Sequence, residues 1–227
     1  MTITGGSGED KATFEVVSET SSFAGNWVVN HGNGTSDVTA TVNATQPSSF
    51  LGINLATTSG NGQDSVNLAI VTATSNLAVG LSATTGSAND SAILVIDGIG
   101  AGSAALNFNA NLGDGNDVAE ALAVWRGRSA SFAGTILGGN NDDQLRQLLE
   151  GNGSSTLTLV GGNGNDNLDM EFKGAVSGTP RIFGGFGNDF LRVIADQPAL
   201  LRPFLDGGPG FDEAIGFGTI VNVESIN

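Results

Sequence analysis

A short loop closed by aspartate recurs nine times along the chain, and its near-constant interval restricts the fold more than any other feature. The aspartates are Asp10, Asp37, Asp64, Asp90, Asp117, Asp143, Asp166, Asp189 and Asp212, spaced by 27, 27, 26, 27, 26, 23, 23 and 23 residues. A period of roughly 20 to 50 residues marks a stacked repeat, in which each unit is one turn that cannot bury its apolar face alone. The repeat runs from the first decade to the last of the 227 residues, so one continuous domain, 1–227, is expected and no linker. Glycine is abundant (35 residues) but recurs at the loop interval and not at every third position. That excludes a collagen-like helix, and the regular apolar segments between loops exclude a disordered chain.

Eight Lys and Arg stand against 23 Asp and Glu, a net charge of -15. Such a surface repels nucleic-acid phosphates and anionic membranes and attracts cations. With no cysteine, neither disulfides nor thiolate metal sites are available. The opening MTITGGSGEDKATF lacks the basic and apolar regions of a secretory signal, and no apolar run of about 18 residues could cross a membrane. Nucleic acid and membrane insertion are therefore not expected partners.

Aligned on aspartate, the loops read GGSGED (5–10), GNGTSD (32–37), GNGQD (60–64), GSAND (86–90), GDGND (113–117), GGNNDD (138–143), GGNGND (161–166), GGFGND (184–189) and GGPGFD (207–212). Glycine stands four residues before every aspartate except Asp37, where an extra residue moves it to Gly32. Glycine, then asparagine, is what a backbone with positive φ or close approach to an ion requires. These loops resemble the calcium-binding nonapeptide GGxGxDxUx of RTX proteins. The resemblance implies Ca2+ ions between successive turns, held by the nine aspartates and by backbone carbonyls such as those of Gly161, Asn163, Gly184 and Phe186. The chain departs from that pattern in three ways. It has one loop per 23–27 residues, which implies one calcium edge and one metal-free edge; loops two to five carry His31, Ser59, Thr85 and Leu112 in place of the first glycine; and the ninth carries Pro209 and Phe211.

An alternative reading makes these simple turns in which aspartate accepts from backbone amides. Charge favours the ion. Carboxylates stacked about 6 Å apart repel by roughly 0.7 kcal/mol per pair in water and about 3 kcal/mol at an effective dielectric of 20.

After each aspartate the second residue reads Ala12, Thr39, Val66, Ala92, Ala119, Leu145, Leu168, Leu191 and Ala214, mostly apolar, as an inward strand column should be. The fourth reads Phe14, Thr41, Leu68, Leu94, Ala121, Gln147, Met170, Val193 and Gly216, with Gln147 a misfit. Segments 117–127 and 142–151 could be amphipathic helices by propensity. Register favours strands, because Glu120, Arg146, Asp169 and Arg192 then form an outer ladder of alternating charge. A second strand follows a variable turn and leads to the next loop. The expected fold is all-β: a single-domain parallel β-solenoid (β-roll or β-helix) of about nine rungs, right-handed by the usual rule for parallel connections. Wider rungs occupy 1–137, with a short third face, and narrower rungs 138–227. TIVNVESIN is expected to be the last strand.

An enzyme is not expected, since lyase or epimerase chemistry on such a scaffold needs converging carboxylates and bases, and the charge ladder is better explained as surface pairing. His31, the sole histidine, reads as a solvated turn residue; Trp27 and Trp125 read as packing residues. The Asp212 to Asp10 interval across two copies would be 25, within the repeat's range. The function expected first is therefore a calcium-stabilised extracellular structural protein that stacks head to tail into a filament or surface layer. The alternative is a calcium-dependent folding and secretion module of a larger RTX enzyme or adhesin. Both place the chain outside the cell or at its surface by export without an N-terminal signal, where polysaccharide or cell-surface contact is open to it.

Overall fold

The computed structural model describes residues 1–18, 22–45 and 50–226. Its 20 strands pair in parallel only, with strands one turn earlier or later, in a solenoid of about eight turns. The nine loops bound those turns. Apart from the single 3-10 turn Pro198–Leu200, no helix occurs among the described residues.

One strand ladder follows the loops. It includes Asp10–Val17, Ser36–Ala44, Asp64–Thr72, Ser91–Gly98, the start of Val118–Asn140, Asn167–Lys173 and Phe190–Ala195. The other leads into them, through Ser22–Asn30, Phe50–Thr58, Leu77–Thr84, Ser103–Asp114, Thr158–Asn163 and Arg181–Phe186. Alternation of side chains puts every second residue between the two ladders. Ala12, Val38, Val66, Ala92, Ala119, Leu145, Leu168, Leu191 and Ala214 align in register and are all buried. Segments 118–127 and 144–151 are strands in this stack, and the helical alternative falls.

Gln147 lies fully inside the core, where its amide donates to Ser155 Oγ at 3.1 Å. On the outer face Glu120, Arg146, Asp169 and Arg192 stand on successive turns. Arg192 grips Asp169 through Nε (2.8 Å) and Nη2 (2.6 Å), and Arg146 reaches Asp169 and Glu171 at 3.7 Å. The pairing raises the Arg192 pKa, chiefly through the hydrogen bond to Asp169.

Two details differ from expectation. The short segment Gly153–Ser155 pairs both with Ala130–Phe132 in the wider rungs and with 176–178 in the narrower ones, where it becomes separate from the second strand. There the left-handed Gly178 (φ 125°) and the imino nitrogen of Pro180 split the second strand into Val176–Gly178 and Arg181–Phe186, whereas Ser103–Asp114 runs unbroken. TIVNVESIN is two strands, Thr219–Val221 and Ser225–Ile226, joined by a contracted loop with Asn222 at φ 50°. Asn227 lies outside the described residues. The rod therefore tapers, from nine residues in Ser36–Ala44 to three in Glu213–Ile215 and two in Ser225–Ile226.

Candidate metal centre

Each loop is six residues that turn the chain from one ladder into the other, and the aspartate opens or precedes the outgoing strand. Loop backbones stack so closely that several positions exclude a Cβ. At Gly162 (φ 124°) and Gly185 (φ 116°) an added Cβ would overlap the carbonyl of the glycine one turn earlier. Left-handed φ and contact with the preceding turn both require glycine there.

The aspartate side chains point inward. Asp64, Asp90, Asp117, Asp143, Asp166, Asp189 and Asp212 are each at most 3% exposed. Their two oxygens have separate roles. Oδ1 of Asp90, Asp117, Asp143, Asp166, Asp189 and Asp212 accepts the N–H of the aspartate one turn earlier, at 2.7–2.9 Å. Oδ2 of each, and of Asp10 and Asp64, is buried with no hydrogen-bond partner in the protein. The turn role weighed from sequence is thus filled by Oδ1, and Oδ2 of the same carboxylate is left without a partner.

In the later loops the open oxygen faces the first glycine. A Cβ on Gly138 would overlap Asp143 Oδ2 and lie 2.7 Å from the Gly161 carbonyl oxygen. At Gly161 the neighbours are Asp166 Oδ2 and the Gly184 carbonyl (2.6 Å); at Gly184 they are Asp189 Oδ2 and the Gly207 carbonyl (2.5 Å). Gly207 repeats the arrangement with Asp212 Oδ2 (2.6 Å) and the carbonyl of Asn222. Each is a small recess lined by oxygen, with one carboxylate and one carbonyl from adjacent turns.

Burial without a counter-charge shows in the acidities. Desolvation, reinforced by neighbouring aspartates, pushes Asp143 up to about 7 and Asp90 and Asp189 to about 6. Asp166 rises to about 6 for the same first cause, with Asp142 adding to it. Asp64, Asp117 and Asp212 are raised too, again mainly by burial.

Asp37 is not in the column. Ser36 pairs with Asp10 on one side and Asp64 on the other, and its hydroxyl donates to Asp64 Oδ1 at 2.6 Å. The second loop has no extra residue; it is His31–Ser36 with serine in the acid's place. Asp37 faces outward on Lys11 (2.9 Å) and Thr39, and the Lys11 hydrogen bond holds its carboxyl below the usual range. One residue of slip flips every side chain to the other face, so Val38 and Ala40 fill the core instead of Thr39 and Thr41. The column also extends past Asp212: Glu224 Oε2 accepts the Asp212 N–H at 2.7 Å, where the next aspartate would stand.

Of the carbonyls expected as ligands, those of Gly161 and Gly184 face the recesses. Asn163 and Phe186 share the third loop position; the Phe186 carbonyl accepts the Gly164 N–H (2.8 Å), and the Asn163 amide donates to Asn140 Oδ1 (2.6 Å). These two belong to the ladders that stitch the loops and are not among the atoms nearest the recesses. His31 is buried, not solvated: its side chain is 2% exposed, its nitrogens have no hydrogen-bond partner, and Nδ1 lies 3.5 Å from Asp10 Oδ2.

Among the described residues no three His, Asp or Glu side chains converge on one point. Any cation held here would take its ligands singly from successive turns, mostly from backbone oxygen. No family model, curated protein or solved structure matches the chain.

Proposed function

We propose that the chain is a calcium-stabilised β-solenoid of the RTX kind, a non-enzymatic structural element whose stacked loops fold fully when calcium is present. The observation that carries this reading is the run of buried Oδ2 atoms without partners, four of which, on Asp143, Asp166, Asp189 and Asp212, face a carbonyl beside a glycine. A hard divalent cation suits such a donor set, since calcium takes oxygen ligands from carboxylates and carbonyls at roughly 2.3–2.6 Å. Asp143 with Gly161, Asp166 with Gly184, Asp189 with Gly207 and Asp212 with Asn222 would hold it. Bound calcium supplies positive charge to carboxylates that the fold has desolvated.

Extracellular modules bind calcium at about 10⁻⁴ to 10⁻³ M. That fits a location outside the cell or on its surface, with export preceding folding. The test is thermal unfolding followed by circular dichroism near pH 7.5, with millimolar calcium and then with chelator. A melting temperature at least 10 °C higher with calcium is expected; identical curves would remove the calcium reading.

A further inference from the structure

Away from the loops, the outer face of the ladder that leads into them is concave. Its middle column reads Ala24, Gly52, Ala78, Ala105, Ser131 and Ser154, one residue from each of successive turns in register, and none is larger than serine. At about 4.8 Å per turn the column extends over about 24 Å. Two cavities, of about 430 Å³ and about 560 Å³, lie along it and share Phe50, Ala78 and Ala105, so they form one groove parallel to the rod axis. Among the described residues that line it, none is ionisable. Phe50 is 40% exposed and leans over the floor, where a Cβ added at Gly52 would stand 2.8 Å from its ring. Asn54 leans over the next turn in the same way, with Oδ1 2.6 Å from the Cβ position of Gly80, and its amide donates to Asn26 Oδ1 at 3.1 Å. The hydroxyls of Ser103 and Ser129, 3.2 Å apart, stand along the opposite edge.

Charge and shape together select the occupant. A chain of net charge -15 repels a polyanion, and a basic peptide is drawn to the acidic loops before an uncharged groove. A neutral peptide strand finds no open edge to join, because the backbones under the groove already pair with the turns on either side. An uncharged polysaccharide meets none of these obstacles. A pyranose lays its C–H face on an aromatic ring, and its hydroxyls exchange water for amides and hydroxyls. In an extended chain each sugar advances about as far as one turn of the solenoid, so successive sugars meet equivalent positions. We infer that this groove binds a neutral polysaccharide lying along the rod, with Phe50 stacked on one sugar ring and Asn26, Asn54, Ser103 and Ser129 bonding its hydroxyls. The wide rungs then carry a glycan-binding face, a role separate from the calcium reading and independent of it.

The experiment is affinity electrophoresis of the full chain, in millimolar calcium, through native gels containing dextran, mixed-linkage β-glucan, xyloglucan or galactomannan, with hyaluronan as the acidic control. Retardation by at least one neutral polysaccharide is expected, and calorimetry with its oligosaccharides should show affinity about tenfold weaker in Phe50→Ala. Ala105→Arg, at an exposed place on the floor, should abolish retardation, and Val95→Arg, exposed on the other ladder, should leave it unchanged. Circular dichroism checks that each variant folds. No retardation by any neutral polysaccharide, or stronger retardation by hyaluronan, would overturn the assignment. Retardation that survives in Ala105→Arg would overturn it even if Phe50→Ala fails to fold. A dimer in sedimentation that Ala105→Arg dissolves would assign the groove to a second copy, and tighter binding of a labelled peptide of alternating valine and serine would assign it to a peptide; either result overturns the glycan. The readout is the same whether or not the loops hold an ion.

Discussion

A carboxylate that gives one oxygen to its own backbone ladder and hides the other is the smallest unit of this protein's chemistry. Its raised pKa makes stability depend on pH in a definite direction. A carboxyl whose folded pKa lies above its unfolded value binds more protons when native, so its contribution is complete below the unfolded pKa and disappears as pH climbs through the folded one. For Asp90, Asp166 and Asp189 at about 6 and Asp143 at about 7, that window runs from about pH 4 to 7. The metal-free protein should therefore melt highest near pH 4–5 and progressively lower toward pH 7, and a scan of melting temperature against pH after exhaustive dialysis checks it. A melting temperature that rises over this range would contradict the burial of these groups. Saturating calcium should flatten the curve at neutral pH. Asp166→Asn isolates one recess: the amide oxygen can still accept from Asp143 N–H, while the negative charge goes. It should raise the chelator-treated melting temperature at pH 7.5 and reduce the calcium-induced gain.

At the scale of a strand, the polar pair inside the core offers a cleaner test of packing. Gln147→Leu leaves Ser155 Oγ without its amide partner and should cost about 1–3 kcal/mol, whereas the double variant Gln147→Leu/Ser155→Ala should recover most of that. Urea denaturation in calcium measures both. The elements were largely legible in sequence, because a period of two within a period near 25 leaves few folds open, and the outer order Glu120, Arg146, Asp169, Arg192 decided strand over helix. The second loop misled for a physical reason: Ser36 and Asp37 adjoin, and the acid attracts the alignment although the serine holds the inward position. The signal was there in the core. Thr39 and Thr41 made two polar misfits in the inner columns, and moving the register by one residue replaces them with Val38 and Ala40. Glu224 was hidden differently, since a loop contracted to Asn222–Glu224 carries no glycine to announce it. The bond from the Thr85 hydroxyl to the Leu112 carbonyl depends on which atoms face each other between turns, and spacing along one strand does not encode that.

Across the whole molecule, the taper and the uneven loops give the rod a direction. Its wide end is packed around Trp27, stacked on Phe14 with ring centroids 5.2 Å apart, and its middle around the fully buried Trp125 and Phe132. Its narrow end depends on small turns and acid. Sedimentation of the intact protein should show a monomer in calcium and a monomer of larger frictional ratio in chelator; calcium-dependent fibres would favour the filament instead. The column of Oδ1 bonds adds something to this picture. From Asp90 to Asp212 each inward aspartate holds the amide of the turn before it through Oδ1, so the register between turns does not depend on what, if anything, meets Oδ2. Neighbouring turns are thus pinned to one another along a single line of short bonds, and a turn cannot slide past the next without breaking that line: the rod behaves as a ratchet with its teeth already cut.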